Sequence, residues 1–371
     1  MKILVLNWQD IRNPLGGGAE VHLHEIFKRL VARGHEVTLL CSRFRGAPRE
    51  ELIDGIRVVR RGSRNTFNVH VPLQYLFRFR RDRYDVVVDD LNKIPFFTPL
   101  FVRRPLVGII HHLFGKTIFS EVSFVPAIYV ALNELLAMPV YKRIPIAVVS
   151  ESTKKEMLSH GYREDNLFLV HNSVDHLLYG VREVQKPALP VIGYLGRLKK
   201  YKSIEDLLFA FSIVLREFPQ PRLLIIGEGD ARENLEHIVR NLDIGGKVDF
   251  LGYVSHNEKV RYLSQMKFMV NTSAKEGWGL TVMEANACGV PVIASDVPGL
   301  RDSVIHEKTG LLYEYGNVEE LAEKMALLLR DDTLCARLST GAVQWARSFD
   351  WERSADAMLE LLNHAVQEAD S

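Results

Sequence analysis

The stretch "KILVLNWQDIRNPLGGGAEVHLHEIFKRLVARGHEVTLLCS", residues 2–42, sets the architecture. "KILVL" and "EVTLLC" are short apolar runs rich in Val, Ile and Leu, without strict alternation, as in strands covered on both faces. Between them, Val21, Leu23, Ile26, Phe27, Leu30 and Val31 recur at helical spacing, and Gly34 supplies a stop. Strand, helix, strand in this order predicts a parallel sheet. "DVVVD", "PLVGII" and "IAVVS" extend the rhythm to Ser150.

The rhythm breaks at "REVQKPALP", 182–190, where two prolines, charges and no periodicity suggest a linker. It then restarts. "VIGYLG", "RLLIIG", "KVDFLG", "KFMVNTS" and "VPVIASD" are strand candidates, with "SIEDLLFAFSIVLREF", "ARENLEHIVRNL" and "EELAEKMALLLRDD" as helices. The expectation is two Rossmann-like, doubly wound α/β domains, 1–183 and 188–345, facing across a cleft at the carboxyl ends of their strands. Residues 346–371 form one more amphipathic helix, expected to pack back on the first domain.

Length and composition agree. At 371 residues the chain is long for one core, and 47% hydrophobic with 25% charged residues is globular. A net charge of +1 argues against a dedicated nucleic-acid binder. Between Arg43 and Arg104, however, 14 Arg plus Lys face seven Asp plus Glu. Cys41, Cys288 and Cys335 are odd in number and form no C-x-x-C, so free thiols in a reducing cytosol are expected. No signal peptide or run of ~20 apolar residues stands out.

Four motifs carry chemistry. In "YLGRLKKYKS" a strand ends at Gly196. Arg197 and Lys202 follow, and Ser203 is expected to cap the next helix. Two cations at such an edge suit a phosphate, while a solvated basic turn is the plain alternative. In "SAKEGWGLTVMEANACG" a loop leads to a helix starting near Gly279, whose first amides favour an anion. Glu276 precedes that helix and Glu284 lies more than a turn inside it. Each carboxylate can accept two hydroxyls of a vicinal diol. A diphosphate at the helix start with a sugar on each flank would satisfy both, which is the shape of a nucleotide sugar. A helix start that tolerates acids is the alternative.

"NPLGGGAEVHLHE" lets backbone approach a ligand, or is a flexible turn. It is not G-x-G-x-x-G, and the second strand ends in Cys41-Ser42-Arg43 rather than an acid, which disfavours a dehydrogenase. "PLVGIIHHLFG" places His111 and His112 at a strand end, to contact a reacting sugar or an acceptor hydroxyl, or simply to hold structure. Converging ligands for zinc are lacking.

On these residues the chain resembles the family 4 glycosyltransferases, retaining enzymes of the GT-B fold. The resemblance spans nearly the whole length. It rests on "PLGGGAE", "HNSVD", "GRLKKYKS", "GEGD", "FLGYVSHNEKVRYLSQM", "EGWGLTVMEA" and "GVPVIASDVPGLRDSVIHEKTGLL". It implies that Arg197 and Lys202 bind the donor diphosphate and that Glu284 takes the ribose hydroxyls. It also implies that Glu276 holds the transferred sugar, with amides of Gly277, Trp278 and Gly279. The backbone of Leu280 and Thr281 would meet phosphate. Gly17 and Gly18 would approach donor or acceptor, His111 would sit by the reacting sugar, and the base would rest near Gly227, Glu228 and Tyr253.

Trp278 stands where Phe is common and Asn172-Ser173 where Asn-Gly is common. The resemblance implies a first domain for the acceptor and a second for a UDP- or GDP-sugar donor. D-x-D is absent, so no metal or other cofactor is expected. Transfer to a glycan or lipid-linked acceptor in envelope or surface glycan synthesis follows, in the cytoplasm or at the inner face of a membrane. "PLQYLFRFRRDRYD", "KIPFFTPLFVRRP" and "FGKTIFSEVSFVPAIYVALNELLAMPVYKR" mix aromatics or an apolar run with base, which suits peripheral contact with anionic lipid, or core helices with ordinary surface arginines. An epimerase of the same fold and a non-catalytic nucleotide-sugar-binding subunit are the competing functions.

Overall fold

A computed structural model describes residues 1–371 apart from 93, 114, 116, 117, 122, 123, 183–186 and 371. The chain divides into two compact units, Met1–Asn172 with Trp351–Ser371, and Ser173–Asp350.

The first unit is built on an eight-stranded sheet. Its strands are β1 (Lys2–Leu6), β2 (Glu36–Ser42), β3 (Glu50–Ile53), β4 (Ile56–Arg61), β5 (Val86–Asp90), β6 (Leu106–Ile110), β7 (Ile146–Val148) and β8 (Leu167–Leu169), in the order β3-β4-β2-β1-β5-β6-β7-β8. Only β3, paired with β4, is antiparallel. β1, β5 and β6 bury almost every side chain, which explains their unbroken apolar runs. The helices are α1 (Gly18–Ala32), α2 (Phe67–Phe77), α3 (Ile118–Glu121), α4 (Phe124–Tyr141) and α5 (Glu151–Ser159). Gly34, at φ +88°, follows the end of α1, the stop its position suggested.

The second unit has six parallel strands, β9 (Val191–Leu195), β10 (Arg222–Ile226), β11 (Val248–Gly252), β12 (Phe268–Asn271), β13 (Val292–Ser295) and β14 (Gly310–Tyr313), ordered β11-β10-β9-β12-β13-β14. Around them lie α6 (Ile204–Glu217), α7 (Arg232–Asn241), α8 (His256–Gln265), α9 (Leu280–Ala287), α10 (Leu300–Ser303), α11 (Val318–Arg330) and α12 (Asp332–Ala346).

The division falls earlier than 183. Val174 and Tyr179 are buried in one cluster with Val191, Ile226, Val260 and Met283, so their apolar burial commits this segment to the second unit. The expected boundary at 183, like part of the linker, lies outside the described residues. α13 (Trp351–Asp370) belongs to the first unit. There Arg29 and Arg33 of α1 pair with Glu352, and Arg33 also with Asp356.

Candidate active site

In the second unit three strand ends are joined by backbone. Gly196 N donates to Ile226 O at 3.0 Å, Leu198 N to Glu228 O at 2.9 Å, and Gly227 N to Gly252 O at 2.9 Å. A Cβ on Gly227 would stand 1.9 Å from Gly196 O, so glycine there allows the approach. This brings Arg197, Gly227, Glu228 and, one residue past Gly252, Tyr253 to one edge. Arg197 and Tyr253 are exposed. Glu228 pairs with Arg232 at 2.7 Å.

Past β9 a single turn of tight helix ends at Lys202. Ser203 stands at the start of α6, as expected, but does not cap it through its side chain. Its backbone is left-handed, φ +46°, and its hydroxyl lies 2.8 Å from Tyr315 Oη instead. The turn is braced by the 271–276 segment: Ala274 N donates to Tyr201 O at 2.8 Å and Thr272 Oγ1 to Lys202 O at 2.8 Å.

That bracing delivers Lys202 to Glu276. The ammonium donates to Glu276 Oε1, and the two side chains are only 12% and 17% exposed. Burial disfavours the lysine charge, but the Glu276 carboxylate outweighs it and holds Lys202 above its usual range. Ser273 Oγ lies 2.9 Å from the same oxygen and 2.7 Å from Asn271 Oδ1.

Gly279, at φ +90°, turns the chain into α9. Leu280 and Thr281 occupy its first turn, where amides have no acceptor within the helix. Trp278 is buried, with its ring 4.9 Å from Phe349. Gly299 lies against this loop, and a Cβ there would be 2.2 Å from Glu276 O. Glu284, inside α9, accepts from Lys259 Nζ at 2.8 and 3.1 Å. Lys259 also stands over the Tyr179 ring at 5.4 Å. Burial, then the Glu284 charge, push the Tyr179 phenol well above its ordinary range.

Lys259, Tyr179, Asn271 and Ser273 are additions to the sequence-derived set. The one signal for Lys259 is the capping box Ser255–Glu258, which starts α8 and so places Lys259 in its first turn. Nothing in the sequence signals its pairing with Glu284.

In the first unit, Gly17 caps α1 and Gly18 opens it. The amide of Gly17 donates to Glu20 Oε2 at 2.7 Å, so it is committed to the capping box. Asn92 Nδ2 approaches the other oxygen of buried Glu20 at 3.4 Å. His111, just past β6, is buried with Nε2 3.1 Å from Asp90 Oδ1. Burial opposes its charge, but Asp90 and then Glu20 raise its pKa above the usual value. The His22 ring meets it edge-on at 5.2 Å. Fully buried and beside His111, His22 is lowered to about 3. The two histidines of "HH" therefore separate: His111 joins the Asp90 and Glu20 cluster, while His112 lines a pocket with Leu91, Glu134, Tyr141 and Tyr162.

Paired carboxylates and cations at strand ends, beside a helix start, form a polar site on a doubly wound α/β unit. Two family models match the chain: "Glycosyltransferase Family 4" over residues 16–176 and "Glycosyl transferases group 1" over 182–345. N-acetyl-alpha-D-glucosaminyl L-malate synthase of Bacillus anthracis is 25% identical over 353 residues, 86% of this chain and 87% of that protein. Among solved structures, sucrose-phosphate synthase from Thermosynechococcus elongatus superposes with a TM-score of 0.84 at 22% identity, covering 100% of both chains. HepE from Anabaena, solved with UDP-glucose, gives 0.78 at 20% identity, over 98% of this chain and 100% of that one. The architecture is that of the GT-B glycosyltransferases. This chain belongs to glycosyltransferase family 4.

Proposed function

We propose that the chain moves a sugar from a nucleotide-diphosphate donor to an acceptor hydroxyl with retention of anomeric configuration. The observation that carries this reading is the Lys202–Glu276 pair beside the amino terminus of α9, with Glu284 further along the same helix. Lys202, Arg197 and the amides of Leu280 and Thr281 would meet the diphosphate. Glu276, with the backbone of Gly277, Trp278 and Gly279, would hold the transferred sugar. Glu284 would take the ribose hydroxyls, and the base would rest by Gly227, Glu228 and Tyr253. HepE's complex with UDP-glucose favours UDP, with GDP as the other donor class.

In this reading the bond from the anomeric carbon to the β-phosphate oxygen breaks. The acceptor oxygen bonds to the same face, and its proton passes to the departing phosphate. The charge that develops is neutralised by groups already in place, Lys202, Arg197 and the α9 amides, without a metal or other cofactor. The second unit would hold the donor and the first the acceptor, with Gly17 and Gly18 approaching donor or acceptor. His111, oriented by Asp90, would contact the reacting sugar or acceptor hydroxyl. We assign the acceptor to glycan or lipid-linked hydroxyls of envelope or surface glycans, at the cytoplasmic side of an anionic membrane. Three free cysteines, all buried, suit that compartment.

The test is thermal stability with UDP, GDP, ADP and their sugars, without added metal. A ligand at ~100 times its Kd adds roughly 2.7 kcal/mol. Stabilisation by one nucleotide identifies the base, and none by any refutes the donor site. A donor-only incubation separates the alternatives: an epimerase converts the sugar without acceptor, and a binding subunit leaves it intact with or without one.

A further inference from the structure

The first unit carries an apolar surface that its core does not use. α4, "FVPAIYVALNELLAMPVY", contains one charge, Glu134. A helix packed on a sheet turns its large apolar residues inward. Here Phe124, Val125, Ile128, Leu132, Leu135 and Leu136, spaced as one helical stripe, are 36–76% exposed. The inward positions include Ala127, Ala137 and Tyr141. On α2, Val69, Leu73, Leu76 and Phe77 are also exposed, 40–74%. Both helices are crossovers leading toward the β8 edge, so right-handed connections put them on one side of the sheet. Asn68 Nδ2 of α2 reaches Tyr129 Oη of α4 at 3.3 Å.

We propose that this face docks on an anionic lipid bilayer, with α4 lying in the plane of the interface rather than crossing it. By length and composition α4 could span a membrane, yet its ends lead from β6 and to β7, which pair side by side through Gly108 and Ile146. Tyr141, its last residue, is buried and donates to Asp89 at 2.5 Å. Crossing would extract these groups from the core, whereas an in-plane helix buries only its outer stripe.

Charge selects the occupant. Arg78, Arg80, Arg81 and Arg83 directly follow α2, with Asp82 the one acid among them. Lys142 and Arg143 directly follow α4. Arg80, Arg81, Arg103, Arg104 and Arg143 are exposed and form no salt bridge among the described residues. A cationic edge at the carboxyl ends of α2 and α4, next to an apolar face, matches lipid phosphates. A second copy would present the same cations. The surface deepens the membrane-side acceptor reading and rests on it for its purpose, since it would hold the acceptor unit where a lipid-linked acceptor lies.

The experiment is co-sedimentation of the full chain with phosphatidylcholine vesicles, with and without phosphatidylglycerol, at low and high salt. The comparison variant is Leu132→Gln/Leu135→Gln/Leu136→Gln, whose positions are solvent-facing, so its thermal unfolding should match the parent. The parent should bind the phosphatidylglycerol vesicles and lose affinity with salt, and the triple variant should bind about tenfold more weakly. A second variant, Arg80→Gln/Arg81→Gln, should lose salt-dependent affinity while keeping the apolar stripe. Equal binding by parent and triple variant, or no binding by the parent, overturns the proposal. So does a parent dimer that the triple variant dissociates, which would assign the face to a second copy. Stabilisation by nucleotide, measured on the same proteins, separates the two readings: its loss with vesicle binding intact removes the transferase reading and leaves the surface standing.

Discussion

Lys259 donates to both oxygens of Glu284, at 2.8 and 3.1 Å, across the space between α8 and α9. The carboxylate read from sequence as a hydroxyl acceptor therefore already carries a cation. An ion pair with both side chains 15–17% exposed is fixed in place, and each oxygen retains acceptor capacity. Lys259 acts through Glu284 as a positioning residue. Lys259→Met should raise the donor KM about tenfold with little change in kcat, the signature of lost uniform binding. Glu284→Gln should give a larger KM effect. Steady-state kinetics with varied donor checks both, and an unchanged KM in Lys259→Met contradicts the positioning role.

Lys202 and Glu276 neutralise each other in a largely buried setting, so either can be removed only by leaving the other uncompensated. Lys202→Met and Glu276→Gln should each lower turnover by about 100-fold or more. Stability should fall by about 1–3 kcal/mol, well short of unfolding the chain. Initial rates with denaturant unfolding of the same preparations test this. Near-full turnover in either variant removes that residue from the chemistry.

Gly299 offers no side chain to the site, yet its backbone packs against the Glu276 and Gly277 backbone. Its φ of +82° disfavours a side chain, and an added Cβ would fall 2.2 Å from the Glu276 carbonyl oxygen. Gly299→Ala should cost about 2 kcal/mol and displace the 276–279 loop. Activity should fall although no ligand-facing side chain changes. Full activity at unchanged stability would show that the loop can yield there.

Asp89 is fully buried and accepts from Thr98 and Tyr141, both at 2.5 Å. Burial outweighs these bonds and raises its pKa from 3.8 to about 7. A carboxyl raised in the fold stabilises fully below 3.8, and that contribution is lost as pH rises through about 7. Asp89→Asn removes this dependence. The variant should gain on the parent between pH 4 and 7, reaching an advantage on the order of a few kcal/mol that levels off above pH 7. Chemical unfolding across that range checks it, and a constant difference would show that Asp89 does not titrate there.

Much of this protein is local and therefore written in order. The βαβ period over 2–42, the strand ends at Gly196 and Gly227, and the helix start at Gly279 follow from side-chain period and backbone chemistry within a few residues. The Glu276–Glu284 frame is legible because a loop and the helix after it hold both residues. What tertiary packing decided is which partner each charge meets. Lys259 lies 25 residues before Glu284, and Asp90 is 21 before His111; no local rule links them. Ser203 reads as a cap, yet packing with Tyr315 gives its hydroxyl another bond. Val174 and Tyr179 read as the end of the first domain, and apolar burial draws them into the second unit's core. α4 shows the same limit from the other side. Its sequence reads equally as a core helix or as a surface for anionic lipid, and only the sheet beneath it determines which side is left facing out.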